Sequence, residues 1–196
     1  MTAQKKETFL RDYAPPAHLV DSVALRVELD PRATRVQATL QCRPNPNTAP
    51  GQPLELNSKK LELLRVALDG ATLAAEQYRF ADGLLIIPQV PDGPFAVEVE
   101  TLINPAGNTA LEGLYLSSGN YCSQCEPEGF RTIACFPDHP DVMSVFTTTV
   151  IGDKAACPVL LSNGNLIDAG DLDNGRHYAT WHDPFPKPSH LFALVA

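Results

Sequence analysis

Val23-Ala24-Leu25-Arg26-Val27-Glu28-Leu29, then Asp30-Pro31-Arg32-Ala33, then Val36-Gln37-Ala38-Thr39-Leu40-Gln41-Cys42, is the most regular stretch of the chain. Apolar residues recur every second position in both runs, which places them on one face of an extended strand and their polar neighbours on the other. The intervening Asp-Pro pair presets a turn, because proline fixes φ at the second turn position. The three pieces predict a β-hairpin with one buried face. Working outward, the Pro/Asn/Gly-rich stretch 44–53 reads as a loop that cannot supply a ladder of backbone donors. Further strands are expected at Leu61–Leu68, Leu84–Ile87, Ala96–Leu102, Val145–Ile151, Val159–Leu161 and His177–Trp181. Turn pairs Asp69-Gly70, Asp82-Gly83 and Asp92-Gly93 separate several of them, and Asn163-Gly164 and Asn174-Gly175 read as hairpin turns. Only Pro140–Phe146 hints at a helix. The expected fold is all-β: a sandwich-like domain or an open, curved set of several sheets with brief helical turns at most, running as one unit over residues 1–196.

Composition supports a single globular domain. The 196 residues are 44% hydrophobic and 19% charged, enough for one sizeable core. Eighteen prolines and 12 glycines punctuate the chain with turns. A net charge of −8 lacks the basic footprint that nucleic-acid binding needs. No run approaches the roughly 18 apolar residues of a membrane-spanning helix. Met1–Arg11 is polar and lacks the apolar centre of a secretion signal. Five cysteines, an odd number, fit reduced thiols better than a disulfide framework. A cytoplasmic protein is the expectation. The apolar run Leu191–Ala196 has no cap or polar tail and reads as a boundary inside a longer protein.

Catalytic motifs are not visible. Cys122-Ser123-Gln124-Cys125 has metal-ligand spacing, yet no second pair of ligands accompanies it, and two reduced thiols are the simpler reading. The five histidines include no H-E-x-x-H and no close pair. There is no G-x-S-x-G elbow and no phosphate-binding glycine loop. Neither a catalytic residue nor a metal ligand is expected in this chain. What stands out is a loop in which Gln124, Glu126 and Glu128 gather beside Arg131, Phe130 and Ile133. Its plain interpretation is a solvated loop with a Glu–Arg pair. A carboxylate and an amide held on a rigid β scaffold are also what recognition of an ammonium group requires, since one supplies charge and the other a second acceptor.

Several stretches resemble bacterial zinc aminopeptidases of the aminopeptidase N family. They are Thr109-Ala110-Leu111-Glu112-Gly113-Leu114-Tyr115, Gln124-Cys125-Glu126-Pro127-Glu128-Gly129-Phe130-Arg131, Pro137-Asp138-His139-Pro140-Asp141-Val142 and Leu161-Ser162-Asn163-Gly164-Asn165. The closing run from Trp181 to Ala196 is similar too. His139 and Ala134-Cys135-Phe136 depart from the family pattern at positions expected to support the fold. The resemblance implies the amino-terminal β-domain of such an enzyme, a saddle-shaped multi-sheet unit packed on a thermolysin-like catalytic domain and closing one wall of its active-site cavity. It implies that Gln124 and Glu126 bind the α-amino group of a peptide substrate with a free amino terminus. It also implies that the zinc, its H-E-x-x-H motif and the exopeptidase loop lie downstream. Residues 1–196 alone are then expected to bind no zinc and to be inactive. The competing expectation is a free-standing β-sandwich binding module. That reading calls for exposed aromatic platforms, and aromatic residues are only 7% of the chain, with one Trp.

Overall fold

The computed structural model describes residues 9–196, so most of the polar opening stretch Met1–Arg11 lies outside the described residues. Fifteen strands follow one another among them: β1 (His18–Glu28), β2 (Thr34–Pro44), β3 (Leu54–Asn57), β4 (Glu62–Leu68) and β5 (Ala71–Thr72). Next come β6 (Arg79–Ala81), β7 (Leu84–Ile87), β8 (Phe95–Ile103), β9 (Gly113–Ser117) and β10 (Asn120–Gln124). The last are β11 (Ser144–Asp153), β12 (Leu161–Ser162), β13 (Asn165–Asp171), β14 (Arg176–Lys187) and β15 (Leu194–Val195). They form an eight-stranded sheet in the order β13-β14-β11-β1-β2-β8-β4-β5, a four-stranded sheet β12-β15-β10-β9 and a three-stranded sheet β3-β7-β6. The architecture is all-β, and the helical pieces are three-residue 3₁₀ turns.

Register explains why the eight-stranded sheet is the frame. Val23 lies opposite Leu40 on β2 and Phe146 on β11, and Leu40 lies opposite Val97 on β8. Leu25, Ala38 and Val99 form the next row. The alternation of sequence thus becomes a lattice of apolar side chains on one face. A bulge between Val20 and Ser22 shifts the parity of β1, so that Val20 also faces inward. The hairpin turn is as expected: Asp30 Oδ1 accepts from the backbone N–H of Arg32 and Ala33 at 2.8 and 2.9 Å. The three-stranded sheet closes over this lattice with Leu54, Leu56, Leu85 and Ile87. The four-stranded sheet does so with Leu114, Tyr121 and Leu194, and all seven are buried.

Three local expectations are corrected. Pro140–Phe146 is not helical; a turn at Pro140-Asp141 leads straight into β11, because Thr and Val continue the chain with strand propensity. Asn163-Gly164 is not a hairpin turn. β12 pairs with β15 and β13 with β14, so the pair carries the chain from one sheet to another. Gly164 has φ +89°, and a Cβ there would overlap the His182 carbonyl. The Asn163 side chain accepts from Ala193 N–H at 2.6 Å and donates to the Leu191 carbonyl at 3.1 Å, tying down the closing segment. That segment contributes only Leu194–Val195 as strand, after a 3₁₀ turn at Ser189–Leu191. Strand is also confined to Leu161–Ser162 where Val159–Leu161 was expected.

His18, at the start of β1, is only 5% exposed, and its Nδ1 has no hydrogen-bond partner. Its ring meets Phe95 edge-on, with centroids 5.6 Å apart. Burial pushes the imidazole below its ordinary 6.5, an effect opposed in part by the Pro53 backbone. The folded chain therefore keeps His18 neutral where the unfolded chain takes up a proton. Its contribution is fully present above the unfolded value and is lost as pH falls below it. Urea unfolding at about pH 7 and about pH 5 is expected to show a loss of stability that His18→Phe reduces. The difference in slope is at most about 1.4 kcal/mol per pH unit. Equal slopes for the two proteins would rule this out.

Candidate functional site

The loop singled out from sequence sits at the end of the β9–β10 hairpin. The hairpin itself carries a signal easily missed, Ser118-Gly119, with φ of 51° and 88°, the positive pair that a tight two-residue turn requires. Gln124 is the last residue of β10, opposite Gly113. Strand alternation puts Gln124 on the same face as Cys122, and Cys122 lies in a row with Tyr115, Val195 and Leu161 on neighbouring strands. Leu114, Tyr121 and Leu194 face the core instead. The outer face of the small sheet is therefore apolar and open, with Val195 43% and Leu161 42% exposed. Gln124 stands at its edge.

From Gln124 the chain turns through Cys125, Glu126 and Pro127, with a cis Glu126–Pro127 peptide, into the 3₁₀ turn Phe130–Thr132. Two buried side chains pin the loop, Cys125 at its start and Phe130 at its end. Phe130 meets Phe136, Phe146 and Phe192 with centroids 5.3, 5.8 and 5.2 Å apart, all close to edge-on, the arrangement favoured by ring quadrupoles. The backbone between is tightly packed: a Cβ on Gly129 would overlap the Gln124 carbonyl oxygen and come within 2.9 Å of Cys125 Cα. Gly129 N–H donates to the Cys125 carbonyl at 2.7 Å.

Gln124 and Glu126 are brought together and both are exposed. The Gln124 amide nitrogen donates weakly to the Glu126 backbone carbonyl at 3.4 Å. That contact leaves the amide oxygen available. No hydrogen bond or ion pair reaches the Glu126 carboxylate from the described residues. Glu128, 63% exposed at its side chain, lies 3.4 Å from Arg131, as the plain interpretation of the loop expected. Sequence reasoning missed the stronger partner. Arg131 Nε donates to the buried Asp138 carboxylate at 2.9 Å, and its NH2 group donates to the Asp138 carbonyl at 3.0 Å. A lone Asp in a Pro-Asp-His-Pro run gives no sign of its burial.

The other candidates have structural partners. All five cysteines are free thiols, with Cys122 half-buried and Cys125 buried. Burial pushes the Cys125 thiol up to about 12, and the Asp138 carboxylate adds to the effect. His177 shares a hydrogen bond with the Cys157 carbonyl at 2.7 Å, and His182 with the Thr147 hydroxyl at 3.0 Å. Half-buried Trp181 donates to the Leu160 carbonyl at 3.0 Å and offers no open aromatic platform. Among the described residues no group of three or more His, Cys, Asp or Glu side chains could hold a metal, so these residues do not fit a zinc site. No described helix is long and apolar enough to cross a membrane.

Residues 15–191 match the Peptidase M1 N-terminal domain. The chain belongs to that family. It is 47% identical over 187 residues to aminopeptidase N of Caulobacter vibrioides, covering 95% of this chain and 21% of the relative. To aminopeptidase N of Escherichia coli it is 43% identical over 196 residues, covering 100% of this chain and 22% of the relative. The fold superposes on Legionella pneumophila aminopeptidase A in complex with aspartic acid, with TM-score 0.91 and 36% identity, covering 95% of this chain and 22% of that one. The chain thus spans about a fifth of the length of the curated relatives it matches. As an M1 amino-terminal domain it has the all-β, multi-sheet form that its own hydrophobic pattern implies.

Phe130 is the anchor of the loop, so truncating it should be felt both in the fold and in the site. Phe130→Ala is expected to lower stability by about 3–5 kcal/mol, read by urea denaturation of the purified chain. A loss under about 1 kcal/mol would show that the ring cluster does not hold the loop.

Proposed function

We propose that this chain is the substrate-anchoring domain of a zinc aminopeptidase, and that Glu126 and Gln124 bind the α-ammonium group of a peptide. The observation that carries this is the pairing of a carboxylate and an amide oxygen that no described residue engages, on a loop whose neighbours are buried. A charge-assisted hydrogen bond from ammonium to carboxylate contributes roughly 1.5–3 kcal/mol net once water is excluded. An internal peptide segment has no ammonium to offer and would leave the carboxylate desolvated and unpaired, which is costly. The site therefore measures distance from the amino terminus, and only the first carbonyl is presented for attack. Glu126 binds and orients; it moves no proton.

Water exclusion needs a cover. We place a catalytic domain of the same protein against the outer face formed by Tyr115, Cys122, Val195 and Leu161. Open apolar faces of this kind mark interaction sites. Ala196 is held in the middle of that sheet by paired backbone hydrogen bonds to Tyr121 at 2.8 and 3.1 Å. The zinc, which supplies Lewis-acid chemistry in such enzymes, belongs in this reading to that second domain. The aspartic acid named in the Legionella complex is an α-amino acid with the same ammonium group, which supports the substrate class. Five free thiols suit a reducing compartment, and we place the protein in the cytoplasm.

In the whole enzyme, Glu126→Ala is expected to lower kcat/KM on unblocked peptides by at least ~10-fold, about 1.4 kcal/mol. Gln124→Ala should show a smaller loss of the same kind. Steady-state kinetics unchanged by Glu126→Ala, or equal rates on amino-blocked peptides, would overturn the assignment. Residues 1–196 alone are expected to cleave nothing.

A further inference from the structure

Arg131 is the only cation between Gln124 and Asp138, and it stands five residues from the proposed ammonium ligand. A guanidinium there opposes the binding of a second positive charge unless something compensates it. Asp138 does so from the buried side. Its side chain is 2% exposed against 18% for Arg131. Asp138 Oδ2 accepts from Arg131 Nε at 2.9 Å and from the Arg131 backbone N–H at 3.3 Å. Asp138 Oδ1 accepts from the Ser189 hydroxyl in a short contact, and Asp138 N–H donates to Asn57 Oδ1 at 3.0 Å. The carboxylate is thus fixed from the closing 3₁₀ turn and from the loop itself, and its backbone is held from β3. The remaining guanidinium nitrogen faces Glu128 at 3.4 Å, so acids flank Arg131 on both its buried and its exposed side.

We propose that Asp138 is a positioning residue for the amine-binding loop, acting through Arg131: it fixes the arginine that braces the loop and cancels its charge, keeping the Gln124–Glu126 site attractive to a cation. The proposal rests on the anchoring role of Glu126 and Gln124. It separates two duties that one arginine would otherwise set in conflict. Bracing needs a rigid multidentate donor, whereas recognition of ammonium needs a net negative field. Where water is excluded, an uncompensated charge close to a binding site changes affinity severalfold, and salt weakens the effect.

Kinetics of the whole enzyme on a dipeptide with a free amino terminus test this. Asp138→Asn keeps the shape and can still accept from Arg131, but it uncovers the positive charge. It is expected to raise KM on the order of 3-fold with kcat little changed, and the rise should shrink at high salt. Adding Arg131→Gln to Asp138→Asn removes both charges and should bring KM back toward the parent value. A purely structural role would lower kcat as well, without salt dependence and without recovery in the double variant, and that result overturns the proposal. Should Asp138→Asn fail to fold, Glu128→Gln uncovers the same guanidinium from its exposed side. It is expected to raise KM about 2-fold, and an unchanged KM there overturns the proposal equally. Glu126→Gln is the control: if it raises KM while Asp138→Asn does not, only this inference falls. If Glu126→Gln has no effect, the anchoring role itself falls.

Discussion

Phe130 is where the three sheets meet. Its ring touches Phe146 on β11 of the eight-stranded sheet and Phe192, two residues before β15 of the four-stranded sheet. It also touches Phe136, whose backbone is bridged to Asn57 at the end of β3. None of these sheets is self-sufficient. The four-stranded one includes two strands of only two residues, far too short to hold without an apolar face to lie on. A single fully buried ring thus couples frame, lid and side sheet. Because the ring stands immediately beyond the Glu126 loop, the position of that loop is inherited from the whole core.

That dependence resolves an apparent contradiction. The candidate binding residues are exposed, and no described residue reaches the Glu126 carboxylate or the Gln124 amide oxygen, which ordinarily describes mobile side chains of no consequence. Here the backbone that carries them has almost no freedom. Gly129 admits no Cβ, Cys125 and Phe130 are buried, and Thr132 Oγ1 donates to the Gly129 carbonyl at 2.7 Å. Thr132 also blocks any side chain on Gly113, the residue opposite Gln124. Rigid backbone beneath unpartnered polar tips is a preorganised arrangement: the entropy of fixing the loop is met during folding, so ligand binding need not meet it again.

Legibility in the sequence followed the physics of each element. β1, β2, β8 and β11 were readable because one buried face imposes strict alternation, as in Val36, Ala38, Leu40 and Cys42. β13 was not, since Leu166 and Ile167 are both exposed on an edge strand with no periodicity to detect. Asn163-Gly164 looked like a hairpin because local chemistry requires only positive φ; which sheet each flanking strand joins is settled by the core. β9 and β10 lie on a small, half-exposed sheet with burial that does not alternate strictly, so Gly113–Ser117 and Asn120–Gln124 show no clean period of two. At the site, composition was sufficient to notice Gln124, Glu126 and Arg131. It could not show that Arg131 turns mainly toward Asp138.

The contrast between Glu126 and Asp138 makes the deeper difficulty concrete. They are twelve residues apart, carry the same functional group and sit in similarly acidic, proline-marked segments. One has both carboxylate oxygens satisfied by donors from Arg131 and Ser189, so its charge is spent on holding structure. The other has no protein donor among the described residues, so its charge remains free to act on something outside. Burial of the first is tolerable only because Arg131 lies against it, and under the proposed role the exposed second can attract a cation only because that same arginine is neutralised. On that reading a structural and a functional carboxylate are two ends of one electrostatic balance, and that balance is set by distances that no residue spacing encodes.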